Sequence, residues 1–406
     1  MTQLLKSLSF IDAFSIVVGS MIGTGVFLKS ATMAQWAGSV PLVLLAWCVA
    51  GLLSIAGAVS YTEMGRRYPK AGGEYVYLRE SYGALPAFLF GWTRFWIAST
   101  GSVAAYGVGA ATFLSGVMPL DTLGGKTGVA LGFIAAFSLA NCFTVALGGK
   151  IQALMTIIKI SLMVSLIIGL GFVSGAVSEG HFSYPGNAQT QNSFSSFGMA
   201  VLAALWAFDG WNNLPMAAGE VKDSTRVVPL ALVSGTLVVL GLYLGVNLVF
   251  FKALSFSEVA TANSALYPNA PSVAAKAVAR FAGEKSSMIV SCFFVFSALG
   301  AMNGSILTGA RVPYAMAQDG LFFSAFGKVH STTFVPVISV VLQGLWAMCL
   351  AGSGTFDQIT DYVIFSSWIF YSAIAFAVFR VSKKMRAIPL LFSVCGLALL
   401  VNTMIS

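Results

Sequence analysis

Long apolar runs separated by short polar segments dominate the chain. A helix of about 20 apolar residues is long enough to cross the hydrocarbon core of a bilayer. The pattern predicts eleven spans, at approximately residues 10–36, 39–63, 83–117, 127–146, 150–175, 195–218, 228–252, 287–312, 334–352, 357–380 and 388–405. The third run is longer than a perpendicular helix requires, which predicts a strongly tilted span. We therefore expect an all-α polytopic membrane protein with a single transmembrane domain over residues 1–406.

Glycine is unusually concentrated in the first span. Residues 18–28 read VGSMIGTGVFL, with Gly19, Gly23 and Gly25 in close succession. Each glycine disfavours a helix by about 1 kcal/mol relative to alanine, which predicts a break. Broken backbone at membrane depth must be buried or line a cavity, and its free N–H and C=O groups can bind a carboxylate and an ammonium. A Gly-x-x-x-Gly face for helix packing is the alternative interpretation.

A second interruption is predicted in the sixth span, where residues 206–213 read WAFDGWNN and Pro215 follows. An aspartate at this depth costs about 2.5–3.5 kcal/mol on insertion scales. Alternatively, this aspartate stabilises the end of a helix, an interpretation that also requires the sixth span to be broken here. Breaks in spans one and six predict two five-span repeats of inverted topology, residues 10–175 and 195–380, with residues 388–405 as an accessory span. A ligand site is then expected at the midplane, where the two breaks face each other.

Two basic residues lie inside predicted spans. Lys159 is about nine residues into the fifth span, roughly 13 Å deep at 1.5 Å per residue. Its ammonium either snorkels toward the interface or acts as a fixed cation in place of a coupling ion near the first break. Arg94, in the third span, either lines an inner vestibule or snorkels.

Composition and charge support this class of protein. Charged residues make up 9% of the chain and hydrophobic residues 57%, with a mean hydropathy of +0.86, whereas soluble domains average about 25% charged residues. With the N-terminus inside, internal loops hold fourteen of the 22 basic residues and external loops six, Lys29 among them. A cytoplasmic N-terminus is therefore predicted, and the net charge of +8 fits loops facing anionic lipid rather than nucleic acid. The odd number of spans suggests that a twelfth helix is missing from this chain.

Several functions are disfavoured by what the chain contains. The five cysteines lie in apolar runs and the two histidines are far apart, so we expect no metal, no cofactor and no thiol-based enzyme. Ring-forming filter repeats, which would indicate a channel, are not apparent.

Two of the loops are predicted to have structure of their own. Residues 65–83 form a predicted amphipathic cytoplasmic segment, and the external stretch 252–287 contains, after Pro271, a small amphipathic helix that would cover an extracellular opening.

Four segments in order, GSMIGTGVF, PKAGGEYVYLRESYG, WAFDGWNNLPMAAGEVKDSTRVVPLAL and ALGAMNGSILTGARVPYAMAQDG, resemble the amino acid–polyamine–organocation superfamily. Within it, the chain is most similar to the L-amino-acid transporter family, which includes bacterial exchangers. The resemblance implies a leucine-transporter fold of five-plus-five inverted repeats with broken helices 1 and 6. It also implies a transporter rather than an enzyme, in the plasma membrane and more specifically a bacterial cytoplasmic membrane. Its partners would be the amino-acid substrate and the lipid bilayer.

The resemblance also assigns residues to substrate binding. The first break would hold the carboxylate on backbone amides, carbonyls of both breaks would accept the ammonium, and the sixth-span aromatic would close over the substrate as an outer gate. The residues with these roles, and those matching family positions in spans eight and ten, are Ser20, Met21, Gly23, Thr24, Gly25, Trp206, Asp209, Asn303 and Trp368. Lys159 matches the lysine that replaces the second sodium ion of sodium-coupled relatives.

These features favour a sodium-independent exchanger of small neutral L-amino acids that works by alternating access. A proton-coupled symporter, with Lys159 releasing a proton when desolvated, is an alternative. So is an exchanger of cationic amino acids that pair with Asp209. An amino-acid sensor would usually add a signalling tail, which is not visible here. Light subunits in animals bond to a heavy subunit through a cysteine after span three, but residues 118–128 contain none, so no disulfide-linked heavy subunit is expected.

Overall fold

The structure, a computed structural model, describes residues 4–143, 145–172, 193–264, 266–267, 270–283, 285–353, 356–382 and 385–405. The helices before the sixth span are α1 (Phe10–Met21), α2 (Gly25–Ala37), α3 (Val40–Arg67), α4 (Glu74–Tyr82), α5 (Ala84–Thr93), α6 (Ser99–Ser115), α7 (Gly125–Ala140) and α8 (Val145–Gly171). From the sixth span onward they are α9 (Ser193–Phe208), α10 (Asn213–Met216), α11 (Ser224–Ala253), α12 (Phe256–Ala260), α13 (Val273–Ala282), α14 (Lys285–Gly309), α15 (Arg311–Gln318), α16 (Val337–Ser353), α17 (Phe356–Val381) and α18 (Ala387–Ile405).

Eight helical runs in the described part are long and apolar enough to cross a membrane, and three shorter apolar helices accompany them. Each predicted span coincides with one of these helices, so the all-α polytopic prediction is confirmed. One boundary was wrong: the fourth span was extended to residue 146, but α7 ends at Ala140. Asn141 caps this end, since its side-chain amide donates to the Phe137 carbonyl at 2.9 Å. Residues 142 and 143 belong to a turn, and α8 begins at Val145. Residues 173–175, the predicted end of span five, lie outside the described residues.

The first span lies at the centre of the molecule. Its most apolar window is 83% buried, whereas the corresponding windows of α8 and α18 are 22% and 28% buried. In the interior, α1 packs against α8, α11 and α14, and α2 packs against α9. Exposed apolar side chains such as Leu52, Leu154 and Leu397 lie on the outer helices, where a bilayer would cover them. The broken backbone of the first span is thus kept away from lipid, as its free polar groups require.

The third span is continuous from Ala84 to Ser115, but residues Arg94–Ala98 form a π-helical turn between α5 and α6. The Thr100 hydroxyl donates to the Phe95 carbonyl at 2.8 Å, which supports one of the backbone groups of this wider turn. Such turns are rare in helices and occur frequently at functional sites. The length of this apolar run predicts a tilted span but carries no signal for the π-helical turn.

The predicted amphipathic segment at residues 65–83 contains the helix α4. Its first residues, among them Glu74, Tyr75 and Tyr77, are buried, whereas residues 79 and 80 are exposed. Gly73 has φ +45°, and a Cβ atom there would lie 2.6 Å from the Pro215 carbonyl carbon, so only glycine fits at this position. This close approach fixes the start of α4 against α10, the second half of the sixth span.

The N-terminal residues pair with the chain that follows the sixth span. Ser7 and Leu8 donate their N–H groups to the Glu220 carbonyl at 3.0 and 2.9 Å. The Glu220 carboxylate forms a buried two-bonded ion pair with Arg311, with N–O distances of 3.0 and 3.1 Å. These contacts join the N-terminus and spans six and eight on one side of the molecule.

The opposite side carries the predicted helix after Pro271. It is α13, and the Ser272 side chain caps it by accepting from the Ala275 N–H at 3.2 Å. Helix α13 forms one wall of a cavity of about 680 Å³, and Leu28 and Thr112 line the cavity as well. Coverage of an extracellular opening by α13 stays a prediction.

Lys29 was expected in an external loop, but it lies inside the first span. It is within α2 and only 4% exposed, and its Nζ atom lies 3.4 Å from the Thr360 hydroxyl of α17. The apolar run around Lys29 is part of the span, so the loop assignment was wrong.

Candidate functional site

The first span breaks between α1 and α2, at residues 22–24. The carbonyl groups freed by the break are bound by side chains from other spans. Lys159 donates from Nζ to the carbonyls of Gly19 and Ile22, at 2.6 and 2.5 Å. Ser297 of α14 donates to the carbonyls of Ile22 and Gly23, at 3.2 and 3.1 Å. The Lys159 side chain is 1% exposed, so it does not snorkel to the interface.

Two tyrosines complete this set of contacts. The Tyr243 hydroxyl lies 2.7 Å from the Met21 carbonyl in the first break and 2.9 Å from the Ala207 carbonyl in the sixth span. Since it has one proton to donate, it is shared between the two breaks. The Tyr106 hydroxyl lies 3.4 Å from the Ser20 carbonyl. The two interrupted spans are therefore tied to each other as well as to their neighbours.

Hydrogen-bond donors lie on the other side of the same break. Helix α2 begins at Gly25, and the first N–H groups of a helix have no partner within it and carry partial positive charge. The Ser20 and Thr24 hydroxyls are fully buried and have no hydrogen-bond partner in the described part of the chain. The Gly23 N–H, by contrast, donates to the Met21 carbonyl at 2.8 Å. An anion could thus be held by the start of α2 and these two hydroxyls.

The two breaks lie in direct contact, as the sequence predicted for helices 1 and 6. A Cβ atom on Gly25 would be 2.6 Å from the Ala207 Cα atom. Gly210 has φ +118°, and a Cβ atom there would be 2.9 Å from the carbonyl carbon of Ser20. No side chain fits between the two segments at these points. The glycines allow the backbones of spans one and six to touch.

Trp206, the predicted gate, is 3% exposed at the end of α9. Its ring centroid lies 5.8 Å from that of Tyr106, with an interplanar angle of 31°. Because Tyr106 contacts Gly23 in the first break, this ring contact places Trp206 near that break. Gating by Trp206 stays a prediction.

Asp209 lies in the sixth-span break and is 7% exposed. Its carboxylate accepts a hydrogen bond from the Tyr371 hydroxyl of α17 at 2.9 Å. Arg94 lies 3.5 Å from the same hydroxyl and donates to the Asn213 side chain at 2.8 Å. At 4% exposure, Arg94 does not snorkel but joins spans three, six and ten in the interior.

Glu74 is a further buried acid in this region, which the sequence analysis did not single out. Its carboxylate accepts a hydrogen bond from the Tyr61 hydroxyl at 2.9 Å and lies 3.4 Å from the Asn212 side-chain nitrogen. Burial raises the pKa of Glu74 to about 7, against the opposing attraction of Arg94 and the two hydrogen bonds. This carboxyl can therefore exchange a proton near neutral pH.

Asn303 and Trp368 are placed differently. The described hydrogen bonds of Asn303 lie away from the two breaks, whereas Trp368 has a ring contact with Tyr371, which donates to Asp209 in the sixth-span break. The Asn303 amide donates to the Gln152 side chain at 3.0 Å and accepts from Asn141 at 2.9 Å, which joins α7, α8 and α14. Trp368 stacks on Phe392 of α18, with centroids 5.1 Å apart. Substrate contact by either residue stays a prediction.

The residues that sequence reasoning missed share one property. Each carries a hydroxyl or carboxyl group within or beside an apolar span, where aromatic and small residues attract little attention. They are Glu74, Tyr106, Tyr243, Ser297 and Tyr371. Tyrosines at membrane interfaces are common, so a tyrosine in the middle of a span was the available signal.

Comparison with known proteins defines the class to which this fold and site belong. The sequence model of the amino acid permease family matches residues 8–405. The chain therefore belongs to the amino acid permease family of the amino acid–polyamine–organocation superfamily. It is a multi-pass membrane transporter of amino acids, not an enzyme.

Individual relatives are similar over most of the chain. It is 31% identical to the serine/threonine exchanger SteT of Bacillus subtilis, covering 96% of this chain and 86% of that protein. It is 28% identical to the b(0,+)-type amino acid transporter 1 of Mus musculus, covering 94% and 78%. It is 26% identical to the cystine/glutamate transporter of Homo sapiens, covering 91% and 72%. These relatives confirm the resemblance to exchangers and L-amino-acid transporters.

Proposed function

We propose that this protein is a sodium-independent exchanger of small neutral L-amino acids, which bind at the paired breaks and cross by alternating access. The observation that carries the proposal is the position of the Lys159 ammonium on the carbonyls of the first break. It is supported by the likeness to an exchanger over nearly the whole chain.

Sodium independence is supported by the group that occupies the carbonyl cluster. Carbonyl and hydroxyl oxygens such as those of Gly19, Ile22 and Ser297 are the donors that hard cations prefer. Here the Nζ atom of Lys159 already supplies a positive charge at hydrogen-bonding distance from two of them. The Lys159 side chain would thus hold these carbonyls in place as a bound sodium ion would, but it does not have to bind and dissociate in each transport cycle.

The amino and carboxyl groups of a substrate find complementary partners at the breaks. The carboxylate would bind the amides of Thr24 and Gly25 and the hydroxyls of Ser20 and Thr24. The ammonium would be accepted by carbonyls of Met21, Trp206 or Asp209. The Trp206 carbonyl already accepts from the Asp209 N–H, and the Met21 carbonyl from the Gly23 N–H. A carbonyl oxygen has two lone pairs, and the second one of Met21 is available to the ammonium when the Tyr243 hydroxyl donates to Ala207 instead.

The surroundings of Asp209 favour neutral substrates over cationic ones. Its carboxylate is hydrogen-bonded to Tyr371, and Arg94 lies in the same cluster. A cationic substrate side chain would have to compete with both. Pairing of Asp209 with lysine or arginine as substrate is the second candidate function, favoured by the burial of this acid.

The remaining sequence expectations belong to the same proposal. Residues 10–175 and 195–380 would form the inverted repeats, and residues 388–405 the accessory span. The N-terminus would be cytoplasmic, because most of the basic residues lie in loops on the same side of the membrane. The membrane would be a bacterial cytoplasmic membrane. A disulfide-linked heavy subunit is not expected, since the loop after span three contains no cysteine.

The experiment is counterflow into proteoliposomes. Serine uptake should require a neutral amino acid inside, and it should be equal in sodium and potassium buffers. Internal alanine, serine, arginine or lysine would be compared as exchange partners. Accumulation into empty liposomes under an imposed pH step would support proton symport and overturn obligatory exchange.

A further inference from the structure

The beginning of α4 is built onto the second half of the sixth span. The Gly72 N–H donates to the Met216 carbonyl at 2.9 Å. Gly73 is held against the backbone of Pro215, as described above. Glu74, the first residue of α4, then reaches Asn212 at the end of the sixth-span break. Displacing α10 would therefore separate it from the Glu74 carboxylate.

This contact lies on the side of the molecule where the N-terminus is bound. The chain that follows α10 pairs with Ser7 and Leu8 through Glu220. A path from the breaks to this side would have to pass between α10, α4 and the N-terminal segment. We call the contacts of α4 and Gly72 with residues 212–216 the gate, and Glu74 is part of it.

Charges in this gate do not balance if both acids are ionised. The titratable and charged groups that face Glu74 from the neighbouring elements are Tyr61, Tyr77, Arg94, Asp209 and Tyr371. Within the described residues that act on Glu74, Arg94 is the basic side chain and Asp209 the second acid. The guanidinium of Arg94 can neutralise only one of the two carboxylates. The second carboxyl group is more stable in this buried gate when it carries a proton.

We propose that Glu74 is a proton-binding site of this gate, which holds a proton while the gate is closed and releases it to the N-terminal side when the gate opens. The proposal rests on the proposed transport function only in calling this movement a gate. Because the proton enters and leaves on the same side, the site regulates opening without carrying protons across the membrane.

The direction of the pH effect follows from linkage. In the closed gate burial holds the pKa of Glu74 at about 7, whereas a hydrated glutamate titrates near 4.5. Between these values the closed gate binds a proton that the open gate does not, so rising pH favours opening. Above pH 7 Glu74 is ionised in both states, and the dependence ends.

A cysteine reporter tests this without any substrate. Met216 is fully buried behind the gate, so Met216→Cys, with the five native cysteines replaced by serine, should react with a hydrophilic maleimide only when the gate opens. Lys222→Cys, at an exposed position on the same side, corrects for thiol ionisation. The ratio of the two labelling rates should rise at least ~10-fold between pH 5 and 7, then level off.

Substitutions locate the response. Glu74→Gln should make the ratio independent of pH, whereas Glu80→Gln, an exposed acid on the same helix, should keep the full rise. A constant or falling ratio with Glu74 intact would overturn the proposal, as would an unchanged rise in Glu74→Gln. If that variant does not fold, the profile with Glu74 intact still decides. Failed serine exchange alongside the expected labelling would count against the transport proposal alone.

Discussion

The Nζ atom of Lys159 lies 2.6 Å from the carbonyl oxygen of Gly19, across the contact between α8 and α1. This bond and its companion to Ile22 place the Lys159 amino group against the C-terminal end of α1, where helix dipoles carry partial negative charge and favour a cation. Span five is thereby attached to the break of span one. Movement of one of these spans relative to the other must strain or break this contact.

Lys159→Ala should slow exchange more than it weakens substrate binding. Without the ammonium, the carbonyls of Gly19 and Ile22 lose their partner, and a buried acceptor left unsatisfied costs about 1–3 kcal/mol. The equilibrium between inward- and outward-facing states would shift. Exchange rates and substrate-induced thermal stabilisation in detergent measure the two effects separately. Lys150→Ala, at an exposed position on the same helix, is the control, and a Lys159→Ala protein with normal exchange would contradict the proposed role.

Gly300→Ala tests the same cluster from α14. The added Cβ atom would lie 2.8 Å from Cε and 3.0 Å from Nζ of Lys159, so the ammonium must move. We expect slower exchange with a folded protein. Gly241 lies within α11, and a Cβ atom there would meet open space, so Gly241→Ala should leave exchange intact. Equal rates for both variants would show that the position of Nζ does not matter.

Gly25→Ala should impair the protein severely, although it adds a single carbon. The added Cβ atom would lie 2.6 Å from the Ala207 Cα atom. The two breaks would separate. Substrate-induced thermal stabilisation is the measurement, and it should be lost. Gly132→Ala, with open space around it in α7, should retain it, and normal binding by Gly25→Ala would contradict the described contact.

Asp209→Asn should reduce the uptake of serine, alanine, arginine and lysine to a similar extent. The carboxylate is bound to Tyr371 at 2.9 Å, so its loss weakens the link between spans six and ten whatever the substrate. Competition uptake with each amino acid provides the measurement. A loss of tenfold or more for the cationic substrates alone, about 1.4 kcal/mol, would instead support the cationic exchanger.

Much of the fold could be predicted because membrane burial imposes simple rules on a sequence. Apolar runs give the spans, and Gly25 and Gly210 give the breaks, since helical backbone is weakest there. Lys159 was recognisable because a charge at that depth needs a partner. Glu74 was not, because the polar residues around it resemble those of a surface loop. Nothing in the one-dimensional pattern brings it beside Asn212, 138 positions further along the chain.

The π-helical turn at Arg94–Ala98 has a consequence for how the third span is phased. Such a turn holds one residue more than an α-helical turn, and each residue of an α-helix turns the chain by about 100°. Deleting one residue here would let α5 and α6 join as a regular helix. Because the wide turn and an α-helical turn each complete about one rotation of the chain, the two ends of the span would keep nearly the orientation that they have now. What the extra residue shifts is the sequence: side chains on one face recur every three or four positions within α5 and within α6, but this spacing is offset by one residue across the turn. The pattern of buried and exposed positions in the third span therefore has to be followed separately on the two sides of Arg94–Ala98.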